Sequence, residues 1–409
     1  MSKHKIPVSP MVRVSGPPNS HIIIGYPGVP ATMPRIMGKV EIRPQEGISA
    51  PVPITSVSIG LYRREYIHPG ASSIVGTKLG SQPKREHIDL IGEEMRLFRC
   101  TPNKPHEDLF YMDLPFVIFL LPDPSTPSKI PPASLQLHTK TCETSYELVV
   151  SVQQSPTIPK TRYPFPLEIL RYDRLSTYGM YEIPEETERS SDHLVTLITH
   201  LPRWCFGPSD PVTVRIKIVP NPDWMRKAKK VTVTKLTISI DEAITYNPEG
   251  DEPYFKSRPM VQKKEAIGQK LGEEGFMKEI CLPFPERERR DGEGHLPREG
   301  VQGQFPMLRV GGFTTEAKLY KVEYFVSVKA TFSGCKDIYV QQRIIVCPFD
   351  AATCRNEMAA ISQAAIDARG VDPTNPMLPS RVIVPADHPK GLEYLGVTWV
   401  GKTRKPLID

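Results

Sequence analysis

Long hydrophobic runs are missing from this 409-residue sequence. The longest, Phe116 to Leu121, is far too short to cross a bilayer as a helix. The first residues, Met1 to Pro10, carry no apolar stretch of the kind a secretory signal needs. Cysteine is sparse and scattered. Cys100, Cys142, Cys205, Cys281, Cys335, Cys347 and Cys354 are odd in number and contain no Cys-x-x-Cys, which points to reduced, buried thiols in a cytosolic protein. The common signatures of catalysis are absent as well: no Gly-x-x-x-x-Gly-Lys-Ser/Thr, no Gly-x-Gly-x-x-Gly opening a helix, no His-Glu-x-x-His and no Gly-x-Ser-x-Gly. The histidines are scattered, and His193 and His200, seven residues apart, fall on opposite faces of an expected strand. No catalytic, cofactor-binding or metal-ligating residue is assigned, no cofactor is expected, and the chain reads as a non-enzyme. Charge of one sign is modest too: a net +6 with pI near 8.8 lacks the dense basic face of a nucleic-acid binder. Nucleic acid is therefore not an expected partner, whereas a weak preference for anionic membranes or acidic proteins remains.

Proline is what the chain has in excess. Its 44 prolines are about twice the usual share of roughly 5%. Spread between short apolar runs, they fit an all-β chain, because proline is confined to strand starts, edges and turns. Period-two alternation dominates. Val212, Val214, Ile216 and Ile218 alternate with Thr213, Arg215 and Lys217, and Leu236, Ile238 and Ile240 with Thr237 and Ser239. Strand geometry puts each apolar set on one face. Strands are expected near 21–26, 35–43, 53–66, 87–98, 109–121, 145–153 and 165–171. A second series is expected near 193–201, 211–219, 231–246, 254–266, 277–284, 307–313, 318–332 and 337–347. Many strands without intervening helices indicate sandwiches. The fold class expected is all-β: two tandem β-sandwich domains with a C-terminal helix and an irregular tail.

The polar stretch 172–191 splits the strand series, which divides the chain into a sandwich at 1–171, a linker at 172–191, a second sandwich at 192–348, and a helix with tail at 349–409. Proline-rich loops are expected at 122–134 and 286–306. From Ala351 to Arg369 there is no proline or glycine; Asp350 is placed to cap a helix there, Gly370 to end it, and Met358, Ile361 and Ala365 give it an apolar stripe. Two runs in the tail, Val382 to Val384 and Leu395 to Val400, read either as strands added to a sheet edge or as sticky spots on a free tail.

The most specific pattern begins at Leu114-Pro115-Phe116-Val117-Ile118-Phe119-Leu120-Leu121-Pro122. It continues through Ile130-Pro131-Pro132-Ala133-Ser134-Leu135 and Tyr146-Glu147-Leu148-Val149-Val150-Ser151-Val152. This resembles the arrestin N-domain: an aromatic strand closed by Leu-Pro, a Pro-Pro-x-Ser loop, then a strand opening on Tyr. Pro208-Ser209-Asp210-Pro211-Val212 resembles the Pro-Gly-Asp-x-Ile/Val opening of the arrestin C-domain, with Ser209 in place of glycine. The strand Val231–Tyr246 after a lysine-rich turn, and Lys318 to Val328, are similar to further C-domain strands. The likeness runs over roughly 11–347, and the proline-rich loops and appended helix look similar to α-arrestins of fungi.

The resemblance implies a cytoplasmic adaptor, recruited to the plasma membrane or endosomes, that binds membrane transporters or receptors. It implies recruitment of a HECT-type ubiquitin ligase, so that the cargo is ubiquitinated and endocytosed. Such recruitment uses Pro-Pro-x-Tyr in a polyproline II conformation. Here Pro17-Pro18-Asn19-Ser20 and Pro131-Pro132-Ala133-Ser134 lack the tyrosine. Recruitment then runs through a partner arrestin or another motif, or the chain is a retromer-like scaffold of a coat that uses the fold without a ligase.

One segment stands out as a contact surface. Trp224, Arg226, Lys227, Lys229 and Lys230 lie between two expected strands, and basic residues beside an aromatic suit an anionic membrane or an acidic partner. The plainer reading is a solvated turn whose charges keep an edge soluble. Lys402-Thr403-Arg404-Lys405 is a second basic cluster. Ser125, Thr126, Ser128, Ser190 and Ser191 are candidate phosphorylation sites. Trp204 is expected in core or interdomain packing.

Overall fold

A computed structural model describes residues 9–18, 20–48, 50–68, 85–121, 132–137, 141–250, 253–285, 288–290, 308–310, 312–389, 391, 393, 397–400 and 403–406, with 288–290, 308–310, 397–400 and 403–406 described by backbone alone. The fold is all-β with one long helix near the C-terminus, as the sequence leads one to expect.

The first sandwich has two sheets. One runs β1 (Pro10–Ser15), β2 (Arg35–Pro44) and β6 (Glu107–Phe119), with β3 (Val52–Ile54) also on β6. The other runs β8 (Thr161–Leu167), β7 (Cys142–Gln153), β4 (Ser56–Ile67) and β5 (Glu86–Arg99). Alternation fixes which residues meet between them: Val57, Ile59 and Leu61 from β4 and Met112, Leu114 and Phe116 from β6 are all fully buried or nearly so.

The second sandwich stacks a sheet of β9 (Glu185–Ser191), β10 (Val195–Leu201), β11 (Pro211–Pro220) and β14 (Phe276–Pro283) on a larger one. That larger sheet runs from Cys205–Phe206 through β16 (Ile338–Val346), β15 (Tyr320–Ser333) and β12 (Thr232–Tyr246) to β13 (Tyr254–Lys270). The predicted apolar phases point inward: Val212, Val214, Ile216 and Ile218 face Leu236, Ile238 and Ile240 in one core.

Several expectations are corrected. Glu185–Ser191, within the stretch read as a linker, is a strand paired along its whole length with β10. Its exposed edge position removes the apolar alternation that would have marked it. β8 begins at Thr161 rather than 165. Pro164 and Pro166 sit on this outermost strand, two residues apart, so both missing N–H groups point to the same open side. The strand expected at 21–26 shrinks to Ile23–Ile24, and β1 was not foreseen. Of the expected strand at 307–313, the backbone shows only Leu308–Val310. The loops at 122–131 and 291–307 lie outside the described residues.

The helix spans Ala351–Asp367, and the Asp350 carboxylate accepts the Thr353 N–H at 2.8 Å as its cap. Cys354 and Ile361 are buried on its inner stripe, with Met358 beside them. Of the two tail runs, Val382–Pro385 (β17) does add to a sheet edge, antiparallel on β6. Val397–Val400 pairs instead with Thr403–Pro406 in a hairpin. No helix among the described residues is long and apolar enough to cross a membrane.

The sandwiches meet end to end. Ile67, Ala133, Leu135, Leu137 and Cys142 of the first complete the core of the second. A polar contact lies inside this seam. Glu65 is fully buried, its Oε2 accepts the Leu319 N–H at 2.9 Å, and its Oε1 lies 3.1 Å from Arg63 Nε in an ion pair without hydrogen-bond alignment. Beside it the Thr144 and Tyr320 hydroxyls bond at 2.6 Å, with Tyr320 fully buried. Glu65→Ala leaves the buried Leu319 N–H without its acceptor and takes from Arg63 one of its two carboxylate partners, Asp89 remaining, and is expected to destabilise the protein by about 3 kcal/mol in chemical denaturation. Glu65→Gln, which keeps an acceptor for Leu319, should cost less; equal losses would show that the Leu319 bond contributes nothing.

Candidate functional site

The basic segment closes the connection between β11 and β12. Pro222–Trp224 forms a turn of 3-10 helix, and Asn221 caps it by accepting the Asp223 N–H at 3.1 Å. A single helical turn, Met225–Ala228, follows. Ala228 is fully buried and Met225 half-buried, which anchors the turn and leaves the long side chains outside.

The sequence brackets five residues here, and the structure brings all five onto one protruding turn, each exposed. Their environments differ. Trp224 is 46% exposed, and Lys227 Nζ sits over its ring, 4.5 Å from the centroid. Lys229 is committed to Glu273, and its ammonium holds that carboxyl below the usual range. Among the described residues, Arg226, Lys227 and Lys230 make no ion pair. The unneutralised charge is thus three cations flanking one aromatic face. Sequence reasoning missed Lys270, which is exposed, unpaired among the described residues, and opposite Thr232 at the start of β12. It is distant in sequence, so only the strand register reveals it.

The turn is far from the seam. β12 starts beside it at Thr232 and ends at Tyr246, opposite Tyr320 in the seam. Fifteen residues at about 3.3 Å each place the turn roughly 45 Å away. It therefore projects from the outer end of the second sandwich.

Other expected site residues fare differently. Ser190 bonds Thr196 at 2.8 Å in the exposed strand β9, while Ser191 is 7% exposed and donates to the Lys336 carbonyl at 2.9 Å, which hides it from a modifying enzyme. Ser125, Thr126, Ser128 and Lys402 lie outside the described residues, as do the side chains of Thr403, Arg404 and Lys405. Trp204 is half-buried edge-on to Tyr181 at 4.7 Å, in a cluster that joins the two sandwiches and the helix.

The opening of the second sandwich explains its own motif. Ser209 has φ 63°, a left-handed conformation that favours glycine. Asp210, only 5% exposed, gathers three donors: Gly207 N–H at 2.8 Å, Arg203 Nη2 at 2.7 Å and the Ala351 N–H of the helix at 3.3 Å. A carboxylate at this position fixes the turn into β11 and holds the helix start against it.

No curated protein matches the chain. Residues 191–349 match the family model described as arrestin (or S-antigen), C-terminal domain. The match begins at the end of β9, covers β10 to β16 and stops just before the helix cap. Over this stretch, the second sandwich is similar to the arrestin C-terminal domain.

Proposed function

We propose that the chain is an arrestin-like adaptor that binds membrane transporters or receptors and links them to ubiquitination and endocytic trafficking. The observation that carries this reading is the arrestin-type second sandwich, set in tandem with a first. The Trp224 turn supports it from the other side. In this reading Trp224, Arg226, Lys227 and Lys230 rest on the anionic face of a membrane while the sheets engage the cargo. Lys229, held by Glu273, stiffens the turn rather than contacting lipid. The working units are 1–171, a connector, a second sandwich that takes in Glu185–Ser191, and the helix and tail from 349. A HECT-type ligase joins through a partner or a motif other than Pro-Pro-x-Tyr.

The test is gentle purification of the tagged full-length chain from its own cells, with identification of what accompanies it. Transporters or receptors together with a ubiquitin ligase are the expected companions. A stable set of coat subunits, with neither cargo nor ligase, overturns the adaptor reading in favour of a scaffold on the same fold.

A further inference from the structure

Three thiols meet where the two sandwiches and the helix join. Cys205, Cys347 and Cys354 are all fully buried. Cys347 Sγ and Cys354 Sγ are 3.8 Å apart, in van der Waals contact, and both are directed at the Phe349 carbonyl, at 2.9 and 3.7 Å. Cys205, on the neighbouring strand, directs its own thiol at the Arg174 carbonyl, at 3.7 Å. Cys347 lies just past the end of β16, and Cys354 lies in the first turn of the helix. A bond between them would tie the helix to the sheet at the joint.

We propose that Cys347 and Cys354 are a redox pair: a peroxide converts them to a disulfide that fastens the helix to the end of β16, and a dithiol reductant reverses it. The Cys347 thiolate attacks the peroxide, the O–O bond breaks, and a sulfenic acid forms as hydroxide leaves. Cys354 then attacks that sulfur. The S–S bond forms, the S–O bond breaks and water departs, so two electrons pass from the thiols to the peroxide. In reverse, the dithiol returns two electrons and leaves as its own disulfide. The sulfurs must close from 3.8 Å to about 2.05 Å, a movement within reach of side-chain rotation.

The closed joint restrains this chemistry. The Cys205 thiol and burial push Cys347 up to about 12, and Cys354 is raised as well by Cys347 and burial. Neither sulfur reaches solvent, so oxidation waits for the helix to lift. Its hold is light: Cys354 and Ile361 are its only buried residues, and its polar ties to Asp210 and Thr177 are long, at 3.3 and 3.5 Å. Local opening of this kind needs far less free energy than global unfolding. The pair thus registers the undocking of the helix and records it covalently.

The experiment treats the full chain with hydrogen peroxide, alkylates it and digests it with trypsin. Arg343 and Arg355 bracket both cysteines, so one peptide, residues 344–355, carries the result. That peptide is expected to lose two hydrogens and resist alkylation, and dithiothreitol should restore two alkylation sites. Cys205→Ser should leave the link intact. Asp350→Ala, which removes the cap, should speed oxidation about fivefold, the factor a typical N-cap makes in the opening equilibrium; low urea should do the same for the native chain. A peptide that stays fully alkylatable, a link to Cys205 instead, or a rate indifferent to both cap and urea overturns the proposal.

Discussion

Gly207→Ala is expected to destabilise the protein by at least about 3 kcal/mol, a larger loss than most single substitutions produce. A Cβ at this position would stand 1.8 Å from the Phe349 carbonyl oxygen and 2.8 Å from its carbon. Both are backbone atoms, so no side chain can swing aside. The two segments are also pinned to each other: Cys347 N–H donates to the Phe206 carbonyl at 2.9 Å and Ile345 N–H to Trp204 at 2.8 Å. Relief therefore requires parting a ladder that carries the end of β16, the Asp210 turn and the start of the helix together. Gly179→Ala is the control, since nothing lies within 4 Å of its would-be Cβ. Denaturant midpoints of the two variants should separate widely; equal midpoints would mean that this close approach is not part of the folded protein.

The same joint shows what a sequence can and cannot disclose. The helix was legible because its signals are local: Asp350 caps it, and no proline or glycine interrupts it up to Arg369. The strands of the second core were legible because period two separates Val212, Val214 and Ile216 from Thr213 and Arg215. β9 was not, since Glu185-Glu186-Thr187-Glu188 lies at an exposed edge and shows no apolar face. The seam was hidden for another reason. Glu65 and Leu319 are 254 residues apart, and their bond exists only once both sandwiches have formed. A trace was nonetheless present: Glu65 continues the inward phase of Val57, Ile59 and Leu61, and a charge there signals a buried polar contact. At the Trp224 turn the basic residues were visible in the sequence, but not which of them is neutralised. That Lys229 is neutralised by Glu273 while Arg226, Lys227 and Lys230 are not follows from geometry alone.

With the turn taken as the membrane contact proposed above, this difference in pairing gives the second large effect. Basic side chains near an anionic surface contribute about 1 kcal/mol each. Reversing Arg226, Lys227 and Lys230 to Glu removes about 3 kcal/mol and adds repulsion, so affinity should fall more than 100-fold. The exposed side chains carry no core packing, and the fold should be unaffected. Lys229→Glu with Glu273→Lys, which exchanges the partners, should change binding little.

The direct measurement is co-sedimentation of the full-length chain with phosphatidylcholine vesicles, with and without phosphatidylserine, beside the Arg226/Lys227/Lys230→Glu variant. Binding that requires phosphatidylserine, weakens with added salt as screening demands, and is lost in the variant is the predicted result. Equal binding by the native chain and the variant, or no dependence on the anionic lipid, would contradict the claim that this protein meets the membrane through the Trp224 turn.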